Sequence, residues 1–104
     1  MRSFLLALML AAPASAAFAQ DFGDPSRGHA FASMVCAECH FIERAGTPSP
    51  NTAAPPFAAV ANTPGMTDVA LAVFLYTPHP TMPNLVIPTP DARDIIAYIL
   101  TLKR

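Results

Sequence analysis

Cys36-Ala37-Glu38-Cys39-His40 is the stretch on which the reading of this chain turns. It holds both cysteines of the 104 residues, three positions apart, with a histidine directly after the second. A disulfide between them would close so small a loop that the loop-entropy argument assigns it little stabilisation. A thioredoxin-like redox pair belongs beside a βαβ pattern, and no β-alternation of useful length occurs. A structural zinc needs four ligands, whereas the chain offers two cysteines and scattered histidines. C-x-x-C-H has instead the spacing of a covalent haem attachment site. Two thiols at the end of a helix each reach one vinyl group and form a thioether. His40 is then held under the iron, where a ring nitrogen ligates it.

Upstream of the motif, Asp24 is a good N-cap and Pro25 suits the first helical position, where a missing N–H costs nothing. The spacing predicts a helix over 25–35 with Gly28, Phe31, Ala32 and Val35 on one side. A glycine inside a helix costs about 1 kcal/mol relative to alanine, so Gly28 implies close approach of another helix. Downstream, Phe41 to Gly65 is rich in proline, alanine and threonine and shows no periodicity. A loop of that length in a small domain is expected to cover something, and the same holds for Thr77 to Pro88. Between these loops Thr67 caps a second helix, over 67–76, with Leu71, Phe74 and Leu75 as its stripe and Pro78 as its stop. A third helix is predicted over 90–102. Thr89 caps it, Asp91 and Asp94 fall in its early turns, and Ile95, Tyr98, Ile99 and Leu102 form its apolar face. Lys103 and Arg104 follow at the negative end of its dipole.

The chain opens as an export signal. Met1 and Arg2 are followed by an apolar run, Phe4 to Ala12, then Pro13 and small residues ending in Ala17-Phe18-Ala19. That pattern predicts cleavage before Gln20, so residues 1–19 are read as signal peptide and 20–104 as the mature domain. The run is too short for a spanning helix, which needs about 20 apolar residues. The signal also inflates the hydrophobic fraction of 53%. A mature chain this small buries little core unaided, and a bound cofactor is one remedy. Without Arg2, five cations face seven acids with no basic cluster, which argues against nucleic acid and against an acidic membrane surface.

A haem iron ligated by His40 needs a partner on its other face. Three of the five methionines lie beyond the signal. Met34 sits in the helix before the motif, too near Cys36 to reach the far side. Met66 opens the second helix and reads as core. Met82 stands in a turn, Thr81-Met82-Pro83, stiffened by Pro80 and Pro83. A weak thioether ligand gains from such a preformed loop, because less ordering entropy opposes the bond. Met82 is therefore the expected sixth ligand. His79, its neighbour, reads as a solvent-facing loop histidine and His29 as an outer-face residue of the first helix. Tyr76 and Tyr98 read as core or cofactor-pocket residues, and Glu38 as solvated.

On these motifs the mature chain resembles, over nearly its whole length, the class I monohaem c-type cytochromes of bacteria. Gly28, eight positions before Cys36, matches the family's helix-crossing glycine, though Ala32 stands where an aromatic is usual and Phe31 precedes it. Asp94-Ile95-Ile96-Ala97-Tyr98-Ile99 is similar to the family's C-terminal helix, which packs across that glycine. Pro55-Pro56-Phe57 resembles the loop whose proline carbonyl accepts a hydrogen bond from the ligating histidine. The resemblance assigns that role to Pro55, with Pro56 as the neighbouring alternative. Met82-Pro83 resembles the methionine-ligand loop.

The resemblance implies an all-α cytochrome c fold of three to four short helices around one haem c, attached through Cys36 and Cys39. The crossing of the first and third helices is expected at Gly28 and Tyr98. The resemblance also implies a periplasmic one-electron carrier, a monomer or a subunit, rather than an enzyme. Expected partners are a quinol–cytochrome c oxidoreductase, a terminal oxidase or a periplasmic dehydrogenase. Two other readings are a fixed haem subunit of such a dehydrogenase and a ligand-binding or peroxidase-like protein with an open sixth site. No membrane anchor is expected after cleavage.

Overall fold

The computed structural model describes residues 23–45, 47–77 and 81–104, and the expected signal peptide, Gly46, His79 and Pro80 lie outside them. Four helices follow in order: α1 Pro25–Val35, α2 Phe57–Ala61, α3 Asp68–Tyr76 and α4 Thr89–Leu100. Among the described residues no β-sheet forms, as the all-α expectation requires.

Local chemistry explains most of the boundaries. The Asp24 carboxylate accepts from the N–H groups of Ser26 and Arg27, with Pro25 at the first helical position. Thr67 Oγ1 accepts from Ala70 N at 3.1 Å and starts α3. At α4 the expectation needs correcting. Thr89 is already helical, and Pro88 occupies the cap without a side-chain bond, so the helix begins one residue early and ends at Leu100, with Thr101 and Leu102 in a closing turn. The long loop after the motif also contains an element that periodicity did not show. α2 is only five residues, too short for a repeat to register, and its first N–H is satisfied by Phe41 O at 2.9 Å rather than by a cap side chain.

α4 is the hub. It packs on α1, α2 and α3, and among the described residues those three make no helix-to-helix contact with one another. The core follows from this: Ala32, Phe57, Ala61 and Leu71 are buried against Ala92, Ile95, Ile96, Tyr98 and Ile99. Ile95, 1% exposed, contributes on the order of 1.5–3 kcal/mol by its burial alone. Gly28 allows the α1–α4 crossing, since a Cβ there would overlap the Asp94 carbonyl and press on Ile95 N. The contact therefore falls one turn before Tyr98, the residue at which the sequence places it. Gly23, at φ +76°, lies in the left-handed region open to glycine and likewise lets the chain run against the carbonyl of Arg93.

The ends of the helices are tied by long-range polar contacts. Asp94, 4% exposed, accepts from Asp24 N at 2.6 Å and from Arg27 Nε at 2.8 Å, so it is a buried tie between α1 and α4 rather than a surface charge for the dipole. Asn62 Nδ2 donates to Ala58 O and Leu102 O, while its Oδ1 accepts from Arg104 N. Lys103 Nζ reaches Met66 O at 2.6 Å.

Candidate functional site

The motif prolongs α1. Cys36 N and Ala37 N both bond Ala32 O, and the N–H groups of Cys39 and His40 return to Cys36 O at 3.1 and 2.8 Å. This turn sets both thiols and the imidazole at the helix C-terminus, each partly exposed, while Glu38 points to solvent. The two cysteines are free. Burial pushes the Cys36 thiol up to about 11, so it is protonated at neutral pH and a poor partner for disulfide exchange.

The following loop folds back over the motif. Asn51 N donates to Cys39 O at 3.1 Å, Phe41 N to the buried Ser49 Oγ at 3.0 Å, and Phe57 N to Phe41 O. These bonds carry Pro55 to His40, whose Nδ1 lies 2.7 Å from the Pro55 carbonyl oxygen. A carbonyl only accepts, so Nδ1 carries the proton and Nε2 keeps its lone pair. Phe57 backs the imidazole with ring centroids 5.3 Å apart. Cys36, Cys39, His40 and Pro55 thus form one cluster. Met82, half-buried, lies elsewhere, lining a small hollow with Phe74, Leu75 and Leu85 at the C-terminal end of α3. Met66 is 8% exposed within the core, and Met34 points outward at 78%.

Other contacts that steady this region were not visible in the sequence. Tyr98 Oη donates to Ile42 O at 2.7 Å and approaches Glu43. Burial first, and then the Glu43 carboxylate, hold the Tyr98 phenol above its ordinary value. His29 is not a simple outer-face residue: its Nε2 sits 2.6 Å from Glu43 Oε1 and its ring meets Tyr98 edge-on. Three elements are clipped together two residues beyond His40. No sequence signal marked these partners, which lie 14 and 56 positions apart. Tyr76 is 54% exposed.

The donor set fits a covalently held haem. Two thiols and an imidazole whose Nε2 keeps its lone pair stand together at the C-terminal end of α1. Among the described residues no cluster of three or more histidine, cysteine or acidic side chains suits a bare metal ion.

Comparison with known proteins agrees with the class that this fold and motif define. The chain is 37% identical over 103 residues to cytochrome c-552 of Bradyrhizobium diazoefficiens, a match covering 99% of this chain and 95% of that protein. It belongs to the class I c-type cytochromes. No family model matches the chain, and no solved structure matches it.

Proposed function

We propose that this protein is a periplasmic one-electron carrier that holds one haem c through Cys36 and Cys39, with His40 and Met82 as axial ligands. The observation that carries the reading is the 2.7 Å contact of His40 Nδ1 with the Pro55 carbonyl, beside two free thiols. That bond fixes the tautomer and the ring plane and raises the basicity of Nε2, the nitrogen left to ligate. Haem c, when bound, supplies a ferric–ferrous couple. Phe57 packs against the His40 ring, and Met82, a soft thioether ligand, favours a raised reduction potential. No substrate is altered by the chain itself, so donor and acceptor are redox proteins. Residues 1–19 direct the chain to the periplasm, and no described helix is long and apolar enough to cross a membrane.

The test is the purified protein. Colour should remain on the polypeptide after acid–organic extraction, and both oxidation states should give the absorption bands of a low-spin haem c. Cys36→Ser with Cys39→Ser should give a colourless and largely unfolded chain, because a chain this small buries little core without its cofactor. A colourless double variant with the full thermal stability of the parent would sink the reading.

A further inference from the structure

We infer that Glu43, gripped between His29 and Tyr98, is a positioning residue that keeps the His40 imidazole in register with the Pro55 carbonyl. The inference rests on His40 as the iron's ligand and is independent of Met82.

The Pro55 carbonyl that orients His40 belongs to a loop, and the loop is hung on the segment just after the motif. Phe57 N donates to Phe41 O at 2.9 Å, two residues beyond Pro55 and one beyond His40. A shift of Phe41 therefore carries Pro55 with it. Phe41 to Arg44 belongs to no helix or strand, so its backbone has no ladder of its own to hold it. The loop holds it on one side, where Phe41 N donates to Ser49 Oγ. α1 and α4 hold it on the other. Tyr98 Oη donates to the carbonyl of the buried Ile42, and Arg44 Nη2 donates to Thr101 O. Glu43 reaches both helices at once. Its Oε1 accepts from His29 Nε2 at 2.6 Å, and its Oε2 lies 3.5 Å from Tyr98 Oη.

A second route to His40 runs through rings. His29 meets Tyr98 at 4.9 Å between centroids, Tyr98 meets Phe57 at 6.5 Å, and Phe57 meets His40 at 5.3 Å. Tyr98 and Phe57 are buried, and close-packed side chains transmit displacement. The Glu43 contact thus bears on the ligand through the backbone and from behind its ring. A purely stabilising role fits less well, because His29 and Glu43 are each about half exposed and exposed ion pairs contribute little to stability.

The test uses the haem-loaded protein. In Glu43→Ala the Nδ1 proton of His40, followed by NMR in the ferrous form, should exchange with solvent more than tenfold faster than in the parent. The reduction potential should rise, because a ring bonded less firmly at Nδ1 is a weaker donor at Nε2. Glu43→Gln keeps an acceptor for His29 and should stay within a few fold of the parent rate. His29→Ala should act in the direction of Glu43→Ala, and the double variant should add nothing to Glu43→Ala. Asp24→Ala, which removes the cap at the far end of α1, should lower the melting temperature and leave exchange and potential alone. If Glu43→Ala takes up no haem, His29→Ala decides. Unmoved exchange in the alanine variants, equal loss in Glu43→Gln, or the same acceleration in Asp24→Ala overturns the inference. A parent whose haem lacks a histidine ligand overturns the proposed function with it, whereas a histidine-ligated parent with unmoved variants overturns the inference alone.

Discussion

Arg27 Nε donates to Asp94 Oδ2 across 2.8 Å, and the next residue, Gly28, brings the α1 backbone against the carbonyl of the same Asp94. One residue of α4 thus serves both the polar tie and a close backbone approach between α1 and α4.

Gly28→Val should lower the melting temperature of the haem-loaded protein. The atoms that a Cβ meets at Gly28 are backbone, so no rotamer change relieves the overlap. Overpacking costs about 1–3 kcal/mol, and each kcal/mol shifts the midpoint of a domain this small by about 4–8 °C. Thermal unfolding followed at the haem band reads the change. An unchanged or raised midpoint would refute the tight crossing.

Asp94 should give acid sensitivity to the fold. The hydrogen bond from Arg27, and then that from the Asp24 N–H, hold its carboxyl below the ordinary 3.8. A lowered folded-state value means that the contribution is complete above the unfolded pKa and disappears as pH falls through the folded one. Asp94→Asn should therefore lower the urea midpoint at neutral pH and leave less of a further fall below about pH 4. Parallel acid limbs in parent and variant would show that Asp94 does not carry the effect.

Met82→Ala should abolish the weak far-red band of the ferric form and lower the reduction potential, as loss of a thioether ligand requires. Met66→Ala, by contrast, should keep the band and destabilise the core by about 2–5 kcal/mol, the range for a buried Met→Ala change, because Met66 is 8% exposed. If the band instead follows Met66, the ligand has been assigned to the wrong methionine.

Electron transfer to a soluble redox partner should depend weakly on salt. The single lysine, Lys103, is engaged with Met66 O. Thr47 and Pro48 beyond the motif, and Thr81, Pro83 and Asn84 around Met82, are exposed and neutral, and the exposed charges nearest the motif, Glu38, Glu43 and Arg44, are of mixed sign. Charge steering raises association rates by about 10–10³ and is screened over about 10 Å at 0.1 M salt. The second-order rate, measured by stopped flow from low to high ionic strength, should change less than about tenfold. A steeper fall would implicate acidic groups such as Glu38 and Glu43 meeting a basic partner.

The sequence by itself determined what depends on neighbours within one turn of chain. Asp24 with Pro25, and Thr67, begin α1 and α3 because their side chains cap N–H groups two or three residues on. Gly28 announced a crossing because a helical glycine is costly without one. The motif was legible because its chemistry lies in five consecutive residues. Only the tertiary structure decided the rest. α2 forms where the loop returns to Phe41. Arg27 finds Asp94 across 67 positions and Tyr98 finds Ile42 across 56, whereas the His40–Pro55 contact across 15 was implied by the family resemblance and by no pattern along the chain. Such pairs are chosen by which faces pack on α4, and a pattern read along one segment does not contain the faces of the others.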